Sequence, residues 1–345
     1  MSSMMRVVAE QIGRVGVSEV PVPSPGPGQV LVRVALAGVC GSDTHAVAGH
    51  HPLLAPPYYP GHEATGTVAE VGPEVAFPAV GQRVMLKPNV CCGECVNCRA
   101  GRTNVCQDLR WIGCDPSGAL PGAMADYLLA PAGNLYAVPD EVTDRQAVLV
   151  ECLATGVHAA RIAGDVTGAR VVVLGAGTIG LFAVMAARRA GAGTIVVTDL
   201  DLHKRERALR HGADVAVDAA AQGFADDVRA GLGGPADVVF DCVANEYSVP
   251  QAVSVLRRSG TLLVVGVPPR DFAIPMPLVQ DWELRVQGCA NYTEEDIVTA
   301  LGMARDLPEE EIISDRFPFA EAALAFELAA RNTSGKVVVG PGAGH

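Results

Sequence analysis

Positive charge is scarce in this chain: 26 Lys and Arg stand against 38 Asp and Glu, for a net charge of −12. Recognition of a phosphate backbone needs a basic face, so the deficit argues against nucleic acid as a partner. No secretory leader is expected either. The opening MSSMMRVVAE runs straight into strand-like residues, with no signal-peptide apolar region and no lipidation motif, so a cytoplasmic location is expected. Long apolar runs are rare. The uncharged stretch 171–187 is slightly short for a bilayer, carries three glycines within six residues and is bounded by Arg170, Arg188 and Arg189. No membrane partner is expected from it. Internal repeats and low-complexity segments are absent. Charged residues make up only 19% of the chain against 49% apolar ones, a balance that builds cores rather than disorder. With 345 residues there is room for two domains. Ten cysteines without a secretory signal point to thiolates used for metal in a reducing compartment.

The most informative stretch lies between Glu151 and Leu200. An apolar strand over 171–174 leads into Gly175-Ala-Gly177-Thr178-Ile179-Gly180 and an Ala-rich helix, and a second strand over 194–198 ends in Asp199. Gly175 permits the tight turn, Gly177 lets a pyrophosphate approach the backbone, and Gly180 allows close helix–strand packing. The helix N-terminus offers N–H groups and a positive dipole end to phosphate. Asp199 stands where a carboxylate accepts from a ribose 2′-OH, which favours NAD over NADP. His203, Lys204 and Arg205 follow on the next helix and read as a solvated face.

Before this unit, short strands alternate with Pro/Gly turns, which suggests a β-barrel-like domain. After it, the α/β rhythm continues. A helix is expected over 202–211, a strand near Val215 and another in ADVVFDCV. SVPQAVSVLRRSG reads as a helix, GTLLVVGV and ELRVQGC as strands, and EEDIVTALGMARD as a helix. Six strand signals between Val171 and Cys289 suffice for a doubly wound parallel sheet. The closing FPFAEAALAFELAARNTSGKVVVGPG reads as a helix and a strand returned to the first domain. The expected domains are therefore 1–150, completed by 308–345, and 151–307.

Two sets of residues suggest metal. Cys92, Cys95, Cys98 and Cys106 are spaced by two, two and seven residues. Four thiolates satisfy a tetrahedral zinc and leave no open position, which makes this a structural site. An iron–sulfur cluster is the competing reading, and Cys91 could stand in for Cys92. The second set, Cys40, His62, Glu63 and Glu151, is dispersed. One thiolate, one imidazole and carboxylates would form a mixed site with room for a substrate oxygen, the mark of a catalytic zinc. Taken singly, each of these residues also reads as ordinary buried or capping structure.

Several motifs in order carry a resemblance that covers essentially the whole chain. GVCGSDTH, PGHEATGTVAEVG, CGECVNCRAGRTNVC, ADYLLAPAGNLYAVPD, ECLATGVHA, VVVLGAGTIG, VVTDL and SGKVVV resemble the medium-chain zinc-dependent alcohol, polyol (sorbitol) and threonine dehydrogenases. The resemblance implies an α/β protein with a GroES-like β-barrel catalytic domain and a Rossmann domain. It also implies two Zn²⁺ per chain, NAD, a small-molecule alcohol or ketone substrate and a homo-oligomer, dimer or tetramer. By position, Cys40 and His62 correspond to zinc ligands, and Glu63 and Glu151 to carboxylates on or beside that zinc. Asp43 corresponds to the group that orients the histidine. Ser42 corresponds to the group that takes the alcohol proton, and His45 to the end of the relay, with His50 and His51 close by. Val265, Gly266 and Val267 at the end of GTLLVVGV join the cofactor-binding set.

Some residues depart from the polyol pattern. Ala46 replaces an aromatic, Asn291-Tyr292 replaces an Arg-Tyr pair, and Cys152 replaces a proline. WIGCDPSGALPGAMADYLLAPAGNLYAVPD is nearer the threonine-type enzymes, and Trp111, Tyr58 and Tyr59 are candidates for the pocket wall. The expected activity is NAD-linked oxidation of a secondary alcohol: a polyol, cyclitol, sugar or amino alcohol. The alternatives are an NADP-dependent carbonyl reductase of the same fold, a threonine-type dehydrogenase, and a non-catalytic nucleotide-binding protein.

Overall fold

The computed structural model describes residues 2–268, 270–331 and 335–342. Ser334, in the SGKVVV stretch, and residues 343–345 of the expected C-terminal return lie outside the described residues. The chain forms two compact units, Met1–Glu151 with Ile297–His345, and Cys152–Asp296.

The first unit opens on an antiparallel hairpin, β1 (Ser3–Gln11) and β2 (Arg14–Pro21). Its main sheet is organised around β3 (Gln29–Gly38), whose QVLVRVALAG is apolar at nearly every position and buried along most of its length. On one edge β3 pairs antiparallel with β4 (Glu63–Val71), which continues to β5 (Arg83–Leu86). Two short strands, β6 (Asn89–Val90) and β7 (Arg110–Trp111), pair with each other apart from this sheet. On its other edge β3 pairs over 29–33 with β8 (Tyr127–Pro131), while β9 (Leu135–Ala137) extends the sheet beyond β5. Val32, Val34, Val68, Leu86 and Met124 fill the core of this unit, each burial contributing roughly 1.5–3 kcal/mol before entropy.

The second unit is a six-stranded, wholly parallel sheet. In chain order its strands are β10 (Arg170–Leu174), β11 (Thr194–Asp199), β12 (Val215–Asp218), β13 (Ala236–Asp241), β14 (Leu256–Val264) and β15 (Arg285–Gly288). Their spatial order is β12-β11-β10-β13-β14-β15, which is the doubly wound order with the switch point beside the first strand. β10 reads RVVVL because a parallel strand is covered on both faces. The 171–187 run thus resolves into this strand, a glycine turn and a helix. Among the described residues no helix is long and apolar enough to cross a membrane.

The chain then returns to the first unit. β16 (Ile313–Pro318) pairs parallel with β17 (Lys336–Gly340), and β17 pairs with β3 at Ala37 and Gly38. The segment before FPF was not expected to be a strand. ISDRFP is short and half polar, and only its remote partner β17 makes it one.

The helices in chain order are α1 (Gly41–Val47), α2 (Val96–Arg99), α3 (Asp144–Ala147), α4 (Val150–Ala163), α5 (Thr178–Arg189), α6 (Leu202–Arg210), α7 (Phe224–Leu232), α8 (Ser248–Val255), α9 (Met276–Asp281), α10 (Glu294–Met303), α11 (Glu309–Ile312) and α12 (Ala322–Ala330). The helix expected over 248–260 stops at Val255, and residues 256–260 instead open β14. Leu256 pairs with Ala236 across a bulge, and Ser259 takes φ +59° to donate its N–H to Trp282 O. Sheet pairing overrides the helix preference of Leu-Arg-Arg.

In the second unit, Asp296 at the head of α10 has no exposed surface. Arg161 of α4 grips it with Nε and Nη2 at 2.7 and 2.9 Å, His158 Nδ1 lies at 2.8 Å, and the N–H and hydroxyl of Thr293 donate at 2.8 and 2.9 Å. Burial pushes this carboxyl up, but Arg161, His158 and the Thr293 N–H outweigh it and hold Asp296 well below the usual carboxylate range. The stabilisation is therefore present above the unfolded-state value near 3.9 and fades as pH falls below it. Asp296→Asn is expected to cost about 3 kcal/mol in urea unfolding at pH 7. The gap to the unmodified chain should narrow as the same melts are repeated below about pH 4.

Candidate metal and cofactor sites

In the second unit the loop after β10 forms the candidate nucleotide cradle. Gly175 takes φ +89°, and a Cβ on Gly180 would stand 1.8 Å from Gly175 O, so the first turn of α5 lies directly against the strand end. Gly177, the N-cap of α5, makes no side-chain cap bond, and a Cβ there would meet nothing within 4 Å. The N–H groups at the head of α5 around Thr178 and Ile179 thus face an open surface, which suits an anion. Asp199 closes the turn from β11. Its Oδ2 accepts from Ala176 N at 2.7 Å and its Oδ1 from Asp201 N at 2.9 Å. Arg205 does not sit on a solvated face. Its side chain is largely covered, and Nη1 donates to Asp199 O at 2.6 Å. At the end of β14, Val265 N and Gly266 N both donate to Asp241 O, which leaves Val267 exposed.

In the first unit the cysteine lobe forms around α2. Cys92, Cys95, Cys98 and Cys106 converge, while Cys91 does not join them. Their sulfurs are separated by 3.4 Å (Cys92–Cys106) and 4.0 Å (Cys92–Cys98 and Cys95–Cys106), close to the ~3.8 Å edge of a tetrahedron with 2.3 Å Zn–S bonds. Backbone N–H groups aim at the sulfurs: Cys92 N at Cys106, Cys95 N at Cys92, and Asp108 N at Cys106. The N–H groups of Gln107 and Cys98 pull the Cys95 thiol down to about 6.

The dispersed set also meets. Cys40 closes β3 and caps α1, and His62 and Glu63 lead into β4 opposite it. A Cβ on Gly61 would stand 2.4 Å from Met124 N, so only glycine allows the backbone approach that sets His62. The donor atoms of Cys40, His62 and Glu63 lie within 4.8 Å of one another, and those of Glu63 and Glu151 do likewise. Asp43 is fully buried. It accepts from Cys40 N at 3.2 Å and from Tyr58 Oη at 3.1 Å, and it stands 3.7 Å from His62 Nδ1. Tyr58 is therefore an interior hydrogen-bond donor rather than an exposed pocket wall, whereas Trp111 meets His62 edge to face at 6.1 Å. Tyr59 lies under the Arg6 guanidinium. Burial disfavours a charged His62, but facing Cys114, Asp43 and Cys40 hold it well above the usual histidine value. Ser42 is half-buried at the head of α1, and His45 and His50 are exposed. His51 Nδ1 accepts from Leu53 N and Leu54 N at 3.1 and 2.9 Å, which leaves Nε2 to carry the proton. Cys152 is buried.

Two neighbours of this set carried no local signal in the sequence. Lys336, 273 positions from Glu63, reaches its Oε1 at 2.6 Å and also Val39 O at 3.3 Å. Cys114 places its sulfur 3.5 Å from His62 Nδ1. A lone cysteine in a Gly-rich loop and a lysine at a strand start announce neither contact.

Comparison with known proteins bears on these sites. Residues 26–140 match the alcohol dehydrogenase GroES-like domain, and residues 178–306 match the zinc-binding dehydrogenase domain. An L-threonine 3-dehydrogenase of Sinorhizobium medicae is 32% identical, the match covering 98% of this chain and 99% of that protein. The chain belongs to the medium-chain zinc-dependent dehydrogenase family. A sorbitol dehydrogenase of Bacillus subtilis is 31% identical over 84% of this chain and 83% of its own length. A solved structure from Sinorhizobium meliloti, described as a zinc-binding dehydrogenase bound to NADP, superposes with a TM-score of 0.91 at 32% identity, covering 99% of this chain and 100% of that one. As a member of this family the chain is an oxidoreductase with a GroES-like unit and a Rossmann-type parallel sheet.

Replacing Lys336 by Met removes the ammonium from a carboxylate with no exposed surface. The expected loss is about 3–5 kcal/mol, read by denaturant unfolding of the metal-stripped chain at pH 7. The double variant Glu63→Gln/Lys336→Met should recover a large part of it, because the buried charge goes with its partner.

Proposed function

We propose that this chain is an NAD-dependent, zinc-containing secondary-alcohol dehydrogenase that converts a polyol, cyclitol, sugar or amino alcohol to its ketone. The observation that carries the reading is the convergence of one half-buried thiol, one buried imidazole and one buried carboxylate at Cys40, His62 and Glu63, with Glu151 beside Glu63. This donor set fits a zinc with an exchangeable position, whereas Cys92, Cys95, Cys98 and Cys106 fit a closed structural zinc. A zinc held by Cys40 and His62, with Glu63 or Glu151, supplies a Lewis acid that lowers the pKa of a substrate hydroxyl.

The chain's own residues do the rest. Asp43, fixed by Cys40 N–H and Tyr58 Oη–H, faces His62 Nδ1 and biases the orientation of the ring. Ser42 Oγ accepts the substrate's hydroxyl proton as it gives up its own, and that proton leaves to solvent through His45, exposed one turn further along α1. Burial, together with the neighbouring His45 and His62, holds His51 below the usual histidine value. Buried Tyr58 and the edge-on ring of Trp111 flank His62 on the inner side of the set.

Cofactor choice rests on Asp199. Its carboxylate is tied to Ala176 N and Asp201 N, and Asp201 and Asp218 stand close in the chain and in register. That much negative charge favours a ribose 2′-OH over a 2′-phosphate. The NADP in the Sinorhizobium meliloti relative is the observation that favours the other choice, with Arg205 as the cation available here.

Two measurements test the reading. Cys40→Ala should abolish NAD⁺-linked turnover and lower zinc from two to about one per chain, while NADH binding, followed by fluorescence, is kept. Unchanged turnover would contradict the role of Cys40. Across a panel of polyols, cyclitols, threonine and butanediol, kcat/KM with NAD⁺ should exceed that with NADP⁺ by at least about tenfold. A preference for NADP⁺ would overturn the role given to Asp199.

A further inference from the structure

Apart from the metal and nucleotide sites, the first unit holds a cleft of about 800 Å³. It opens because β3 changes partners: β8 follows it only through Arg33, and β17 joins it only from Ala37. Residues 34–36 therefore lie at a break in the sheet edge and form part of the cleft floor. Three guanidinium side chains, Arg33 from β3, Arg145 from α3 and Arg316 from β16, line the walls.

The carboxylates of the cleft are already engaged. Asp126 Oδ2 accepts from Met5 N at 2.7 Å, and Asp144 Oδ1 is held by Arg83 Nε and Nη2 at 3.2 and 2.7 Å. The cations are not matched in the same way. Among the described residues, Arg33 and Arg316 make no side-chain hydrogen bond or ion pair. Arg145 touches only the exposed Glu310, through Nη2 at 3.2 Å, and its Nε is buried with no acceptor. Guanidinium forks match planar and tetrahedral oxyanions, two N–H groups to two oxygens.

We propose that this cleft is a binding site for a small dianion, a phosphate ester or a dicarboxylate, held by Arg33, Arg316 and the Arg145 fork. The site is separate from the hydride-transfer chemistry and does not depend on the function proposed above. β3 carries Arg33 and ends at Gly38, two residues before Cys40, and β17 carries Lys336, so an occupant at the break would bear on the two strands next to the candidate metal set.

Calorimetric titration of the metal-loaded full chain with inorganic phosphate, and separately with succinate, at constant ionic strength, tests the proposal. The chain should show one saturable site that Arg33→Gln/Arg316→Gln weakens at least about tenfold. Whichever probe binds identifies the oxyanion type. Phosphate held at the head of α5 would be unaffected by the same pair of substitutions. Glu310→Gln releases Arg145 Nη2 and should tighten binding about threefold, a gain that a misfolded variant would not give. Equal affinity in the unmodified chain and the double variant, or no saturable binding of either probe, would overturn the proposal.

Discussion

The first unit depends on one buried ion pair. Lys336 and Glu63 lie 2.6 Å apart, both almost without exposed surface, and the lysine also bonds Val39 O. The pair ties the last strand of the chain to the head of β4 and to the end of β3, the three backbone segments that position Cys40, His62 and Glu63. Lifting two charges from water is costly and is offset only when the geometry is close and other hydrogen bonds complete it. Here the contribution is to position rather than to net stability, since it fixes where the Glu63 carboxylate stands relative to Cys40 and His62.

The second unit is governed by backbone proximity. Gly180 lies against Gly175 O, Asp199 closes over Ala176 N, and the strand ends of β13 and β14 are laced by Asp241 O to Val265 N and Gly266 N. Each contact leaves the head of α5 open to an anion while the surrounding sheet stays dry. Within the same unit the Asp296 carboxylate ties Thr293 to His158 and Arg161 of α4.

Much of this was legible in the chain. Continuous apolar runs identify the parallel strands, and glycine spacing identifies the turn after β10, because both are local properties of a few consecutive residues. The four-cysteine lobe is legible for the same reason. Three features were not. Residues 256–260 look helical, and β16 looks like loop, until a strand far away in the sequence pairs with them. Lys336 and Cys114 acquire meaning only from neighbours 273 and 52 residues distant. Arg205 reads as a surface residue because helical position, not the path of a long side chain, is what a sequence displays. Dispersed sites are assembled by topology, and a resemblance supplies them where local pattern does not.

The most direct test of the account is zinc K-edge absorption on the purified chain together with its metal content. Two zinc ions per chain with an average of about 2.5 sulfur ligands each are predicted, four thiolates in one site and a single thiolate with nitrogen and oxygen in the other. One zinc per chain in a purely sulfur environment would contradict the account, since it would leave Cys40, His62 and Glu63 without the role on which the proposed chemistry rests.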